Sequence, residues 1–294
     1  MIKWLFGDSR SNFKSGKCVL QTEFPFYEPG QTVNGKIYIQ VDHSFKAKNI
    51  ELEFKGKENA AFTRFWHEGE ADDRHECHER HKMSKHFLKY KEKVFHFGDD
   101  AHLEPGNYQV SFQLDLPEKI PSSMYFKDKH NRAEPKAKVK YSIKVKINAK
   151  HDEDDMKYKQ VLAIREKPVN FVADSSQEET SEITTWCCIG QGHSKMKTEF
   201  EKNIYVPNET AKAIIHIDNS ACNIAASNVL FFIEQRVTIR DPGMFGGHSH
   251  YHTHRLIQDH EHGPQANEGD WKKQFDLDLD KIKYEVAEMK KKKG

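Results

Sequence analysis

Residues 22–39, from Thr22 to Ile39, read TEFPFYEPGQTVNGKIYI, and residues 198–217, from Thr198 to Ile217, read TEFEKNIYVPNETAKAIIHI. Both open with Thr-Glu-Phe and then set a tyrosine just ahead of a proline and a turn. These are Tyr27, Pro29 and Gly30 in one copy, and Tyr205, Pro207 and Asn208 in the other. Thr32 and Thr210 follow at the same offset from the proline. An alternating apolar strand comes next, Ile37 and Ile39 answering Ile215 and Ile217. The copies stand about one domain length apart, so the chain reads as a duplicated domain and not as a solenoid.

Outward from these copies, a period of two recurs. Ile50, Leu52 and Phe54 alternate with Glu51, Glu53 and Lys55, and Tyr108, Val110, Phe112 and Leu114 alternate with Gln109, Ser111, Gln113 and Asp115. The clearest run is Val139, Tyr141, Ile143, Val145 and Ile147, interleaved with Lys138, Lys140, Ser142, Lys144 and Lys146. One apolar face per segment predicts half-buried antiparallel strands. Val229, Phe231 and Ile233 repeat the pattern, but Leu230 and Phe232 are apolar too, which predicts a strand covered on both faces. Turns fall at Glu28-Pro29-Gly30, Glu104-Pro105-Gly106 and Asp241-Pro242-Gly243. The best helical spacing is Ile282, Val286 and Met289, near the end of the sequence.

The stretch Pro168 to Glu182, rich in Ser and Glu, reads as a linker. The expected class is all-β: two tandem immunoglobulin-like antiparallel β-sandwiches. The expected boundaries are an N-terminal segment 1–13, a sandwich over 14–168, a linker over 169–182 and a second sandwich over 183–294.

Composition narrows the function. The 294 residues suffice for two domains that each bury a core. With 19 Phe, 10 Tyr and 4 Trp the chain is too aromatic to be disordered. Charges nearly cancel, 46 basic against 45 acidic, so global charge gives no case for nucleic-acid binding. The five cysteines, Cys18, Cys77, Cys187, Cys188 and Cys222, are odd in number and scattered; reduced thiols in the cytoplasm are expected, not a disulfide framework. No apolar run approaches the ~20 residues of a membrane span, so any membrane contact is expected to be peripheral. A P-loop, G-x-S-x-G, a Rossmann glycine pattern and H-E-x-x-H are all missing, and neither an enzymatic activity nor a cofactor is expected.

These residues resemble the arrestin family, particularly its α-arrestin branch. YEPGQTVNGKIYIQV resembles the family's Pro-Gly turn and following strand, and KNIELEFKGKE, with Trp66 just beyond, the next. LEPGNYQVSFQLDLPEKIPSSM, from Leu103 to Met124, is the most specific piece, and KVKYSIKVKI resembles the strand after it. TTWCCIGQGHSKMKTEFEKNIYVPNET resembles the opening of the family's C-terminal domain. The resemblance implies an arrestin fold whose second sandwich is incomplete here. It also implies an adaptor that binds cytoplasmic tails of membrane proteins and links them to endocytic or sorting proteins, at endosomal or plasma-membrane surfaces. A structural subunit of a stable coat or cytoskeletal scaffold is the alternative. Pro-Pro-x-Tyr, the ligase-recruiting motif of α-arrestin tails, is not in the sequence.

Four sets of residues are candidates for binding. Lys138, Lys140, Lys144 and Lys146 share one strand face and suit phosphate or acidic tails, with Lys14 and Lys17 joining them if the first strand packs nearby as the resemblance implies. Arg165, in VLAIREKPV, resembles the family's phosphate-sensing arginine. However, no matching aspartate lies between Cys18 and Glu23, which favours an ordinary strand-end arginine. Histidines gather at His67, His75, His78, His81 and His86 around Cys77, and again at His248, His250, His252 and His254, followed by His260 and His262. Neither group has paired Cys-x-x-Cys spacing. Both are read as exposed loops, with no metal expected and the second group as the candidate set. Cys187 and Cys188 suit lipidation, although the resemblance places them at the start of a core strand and favours burial.

Overall fold

The computed structural model describes residues 15–70, 73–98, 102–149, 155–167, 169–186, 189–206, 208–243 and 247–282. Lys14, Cys187, Cys188, Val286 and Met289 lie outside the described residues. The chain divides into two compact units, residues 1–167 with 239–250, and residues 168–238 with 251–294.

The first unit is a sandwich of two sheets. The smaller has the order β1 (Gly16–Thr22), β3 (Thr32–Val41), β7 (Gly106–Asp115). The larger has the order β2 (Phe26–Tyr27), β10 (Met156–Ile164), β9 (Lys136–Ala149), β4 (Phe45–Glu68), β5 (His75–His96). Two short strands complete it, β6 (His102–Leu103) against β4 and β8 (Met124–Lys127) against β9. The described pairings in this unit are antiparallel except for the short parallel match of β2 with β10. The core is the apolar parity of the alternating runs: Ile37 and Ile39 from one sheet meet Phe54, Tyr141, Ile143 and Val145 from the other. Burying each such side chain contributes about 1.5–3 kcal/mol, and this fixes the register, since a one-residue slip would turn the lysines of β9 inward.

In the second unit, β11 (Ala173–Thr185), β12 (Ile189–Lys202), β13 (Thr210–Asp218) and β16 (Trp271–Asp278) form one sheet. β14 (Asn228–Asp241) and β15 (His248–His262) pair with each other, and the tip of this hairpin, residues 239–250, belongs to the first unit. Phe231 of β14 packs on Ile215, Ile217, Trp271 and Phe275, its ring 5.6 Å from that of Phe275.

The duplication shows in the hydrogen bonds. Gln31 N donates to Glu28 O at 3.1 Å and Glu209 N donates to Val206 O at 3.3 Å, closing the same turn. Gly30 and Asn208 supply the left-handed residue after the proline, at φ 82° and φ 70°. Gln31 O then accepts from Leu116 N at 3.0 Å, and Glu209 O accepts from Leu279 N at 2.9 Å. β1–β3–β7 is thus matched by β12–β13–β16. The third strands carry a repeat the sequence reading missed, Phe112-Gln-Leu-Asp-Leu116 and Phe275-Asp-Leu-Asp-Leu279, whose Phe and Leu residues are all buried. The shared Thr-Glu-Phe is not part of this match. Thr22 pairs with Gly35, and the residue in the equivalent ladder position, opposite Ala213, is Phe200.

Three expectations are corrected. Most of the predicted linker, 169–182, is strand: β11 runs antiparallel to β12 along its length. It is an edge strand exposed on both faces, so backbone pairing holds it and no apolar alternation marks it. The histidine groups are not loops either; the first lies on β4 and β5 and the second on β15. Lastly, β14 is not covered on both faces: Leu230 is 45% exposed, and Phe232 lies under the Arg255 guanidinium, 4.4 Å from the ring centre.

Candidate anion-binding face

The outer face of the larger sheet in the first unit gathers the polar parity of four strands. β9 contributes Lys138, Lys140, Ser142, Lys144 and Lys146. Register brings Lys144 beside Lys159 of β10 and Glu53 of β4, and Lys146 beside Lys157 and Glu51. Ser142 stands opposite Lys55, and Lys140 opposite Lys57. Beyond β4, Glu53 pairs with Lys91 and Lys55 with Lys89 of β5. Paired residues share a face, so lysines from four strands border one surface.

Within it lies a depression of ≈ 260 Å³ lined by Glu53, Lys55, Ser142, Lys144, Lys157, Tyr158 and Lys159. Lys55 Nζ is 2.7 Å from Glu53 Oε2, and Lys91 Nζ is 3.0 Å from Glu51 Oε1. Asp155 binds two lysines, Lys146 at 2.9 Å and Lys157 at 3.4 Å. Lys144 and Lys159 have no ion-pair partner among the described residues. The electrostatics record the crowding. Burial opposes ionising Glu53, yet the hydrogen bond from Lys55 and the charges of Lys55, Lys91 and Lys144 hold its pKa below the ordinary value. Burial likewise opposes ionising Asp155, and its bonds from Lys146, Ala149 N and Lys157 outweigh it. Lys140 is pushed down by burial first, then by the like charges of Lys138 and Lys159. An anion bound here gains charge-assisted hydrogen bonds and relieves that repulsion.

The other candidates are placed differently. Lys138 lies over the Tyr125 ring, 5.8 Å from its centre. Lys17 is exposed on β1, in the opposite sheet, and does not extend the β9 row. Arg165 is exposed just past β10; its guanidinium stacks over Phe26 at 3.6 Å, and its backbone N donates to Tyr27 O at 2.8 Å. Among the described residues no carboxylate is ion-paired to it. His248 and His250 serve packing: His248 meets Arg64 at 3.2 Å, and His250 stacks on Phe62 with ring centres 5.6 Å apart. His252 and His254 have ring centres 6.4 Å apart.

Sequence reading missed Lys55, Lys57, Lys157, Lys159 and the carboxylates of Glu53 and Asp155 as members of this face. The alternations of β4 and β9 were visible, but only the register across strands joins these residues.

Two β-sandwiches carrying the same three-strand core, one with a lysine-rich outer sheet, make a protein of the arrestin type. The family model for the arrestin (or S-antigen) N-terminal domain matches residues 17–170, and the chain belongs to the arrestin family. Over 204 residues, 66% of this chain and 33% of the other, it is 26% identical to Arrestin domain-containing protein A of Dictyostelium discoideum. Over 233 residues, 76% of this chain and 51% of the other, it is 24% identical to Arrestin domain-containing protein 17 of Caenorhabditis elegans. These relatives support the α-arrestin branch, and the chain spans about a third to a half of their lengths. Among solved structures, the crystal structure of Spo0M, a sporulation control protein from Bacillus subtilis, matches with TM-score 0.35 and 12% identity, covering 70% of this chain and 80% of that one. Arrestin-family proteins are generally non-enzymatic adaptors that bind other proteins.

Proposed function

We propose that the protein is a non-enzymatic adaptor for the cytoplasmic tails of membrane proteins, linking them to endocytic or sorting machinery at endosomal or plasma-membrane surfaces. In this reading the outer lysine face of the first unit receives acidic or phosphorylated tail residues. The observation that carries it is the depression in which four lysines surround a single carboxylate, Glu53. A phosphorylated residue brings about −1.5 to −2 charges and three acceptor oxygens, which suits the ammonium groups of Lys144 and Lys159. No bond is made or broken; the tail is held by charge and hydrogen bonds on a rigid sheet. Family membership supports protein binding in general.

The test is fluorescence anisotropy with acidic tail peptides, phosphorylated and unphosphorylated. The phosphorylated form should bind more tightly. Its affinity should fall steeply as ionic strength rises and the Debye length shrinks from about 10 Å at 0.1 M to about 3 Å at 1 M. Equal binding of both forms, insensitive to salt, contradicts the proposal.

A further inference from the structure

At the turn end of the β4–β5 hairpin, three donors of different chemistry meet. The ligating atoms of Glu68, His75 and Cys77 all lie within 4.8 Å of one another. Strand register puts them there: Glu68 faces His75, and Trp66 faces Cys77. Residues two apart on a strand share a face, so all three side chains leave the same side of the hairpin. Gly69 takes φ 98°, and Asp73 N donates to Glu70 O at 3.0 Å. A Cβ on residue 69 would stand 2.4 Å from the Asp73 carbonyl oxygen.

Neighbouring groups outside the set orient His75 and Glu68. His75 Nδ1 is 3.2 Å from the carbonyl oxygen of Asp73. A carbonyl oxygen can only accept, so Nδ1 carries the proton and the neutral ring keeps its lone pair on Nε2. Metal-bound histidines are held in this way, the second nitrogen donating to an outer partner. The Trp66 indole donates to Glu68 Oε1 at 2.7 Å and orients the carboxylate. Its other oxygen accepts from Cys77 Sγ at 3.6 Å, and among the described residues no lysine or arginine is ion-paired to it. Burial first, then the Glu68 charge, raises the Cys77 pKa.

We propose that Glu68, His75 and Cys77 form a Zn²⁺ site, through a carboxylate oxygen, Nε2 and Sγ, with the fourth tetrahedral position taken by water. The mixed sulfur, nitrogen and oxygen set suits this borderline-soft ion and not Mg²⁺ or Ca²⁺, which take oxygen ligands. Binding releases one proton from Cys77 to solvent. One thiolate, one carboxylate and a neutral imidazole then balance the dipositive ion. The site is independent of the lysine face, and neither proposal rests on the other.

The test is Co²⁺ titration of the purified full chain, read by the thiolate-to-cobalt charge-transfer absorption, followed by displacement with Zn²⁺. One equivalent should bind with that absorption. Cys77→Ser should abolish it, and His75→Ala and Glu68→Gln should each weaken Zn²⁺ binding by at least about tenfold. The three side chains are exposed or half-buried at a hairpin end, so the variants should keep the metal-free melting temperature of the parent. A charge-transfer band that survives Cys77→Ser, or that disappears instead when Cys187 and Cys188 are both replaced by serine, overturns the assignment. So does the absence of any such band in the parent protein.

Discussion

Tyr27 and Tyr205 hold the same post in their respective units: each phenol donates to the carbonyl oxygen seven residues ahead, Asn34 O and Lys212 O, both at 3.4 Å. Each bond ties the entrance of the Pro turn to the strand that leaves it, β3 in one unit and β13 in the other. Tyr27 also accepts from Phe24 N at 3.0 Å and is 1% exposed. Tyr205 is only half-buried.

That difference sets the first expectation. Tyr27→Ala removes a fully buried ring and should destabilise the first unit by about 3–5 kcal/mol, while Tyr27→Phe loses only its hydrogen bonds, about 1 kcal/mol. Tyr205→Ala should cost clearly less than Tyr27→Ala. Urea unfolding, followed separately for each unit because two domains need not unfold together, checks the order.

Gly35 and Ala213 give a second pair, in which the opposite substitutions both destabilise. Gly35 pairs with Phe112, and Ala213 occupies the matching place opposite Phe275. A Cβ on residue 35 would come within 2.4 Å of Phe112 Cζ and 2.6 Å of Gln21 O. Gly35→Ala should therefore cost about 1–3 kcal/mol by overpacking, despite the better intrinsic preference of alanine. Ala213→Gly should cost about 0.5–1 kcal/mol through chain entropy. Thermal melting of the two variants measures both.

The sandwich class was legible because the core strands alternate cleanly, Val139 to Ile147 above all. The turn repeat was legible because Pro-Gly and Pro-Asn mark a left-handed position. What stayed hidden had no apolar period. β11, ADSSQEETSEITT, shows both faces to solvent and is paired along its length with β12. The histidine-rich parts of β5 and β15 are polar on both faces and so read as loops. The Thr-Glu-Phe identity pointed to a register two residues away from the real one, since Thr22 matches Phe200 by ladder position. The lysines of β9 were found, but their neighbours on β4 and β10 depend on register, which alternation within one strand does not encode.

The carboxylates among those lysines carry a pH dependence. Glu53 and Asp155 both sit below their ordinary pKa values in the folded protein, held there by lysines. In that interval the unfolded chain binds more protons, so stability rises with pH across it. The stabilisation should be complete above about pH 5 and lost as pH falls through the depressed values. Asp155→Asn should flatten this dependence, as measured by urea midpoints between pH 3 and pH 6. A midpoint that drops on acidification as steeply in the variant as in the parent contradicts the assignment.

Glu53 also opposes any anion in the depression. Glu53→Gln removes that charge while keeping the shape, so binding of a phosphorylated tail peptide should tighten several-fold even as the unit loses stability. Anisotropy titration at low salt separates the two effects, because affinity and melting temperature then move in opposite directions.

The most direct test of the adaptor reading is charge reversal on the lysine face, with anisotropy of a phosphorylated tail peptide as the readout. Lys144→Glu and Lys159→Glu should each weaken binding by at least about tenfold, the size expected for losing one charge-assisted contact and adding a repulsion. Lys36→Glu, exposed on β3 in the opposite sheet, should leave binding nearly unchanged. Equal losses at all three positions, or full binding by the Lys144 and Lys159 variants, would contradict the assignment of tail recognition to this face.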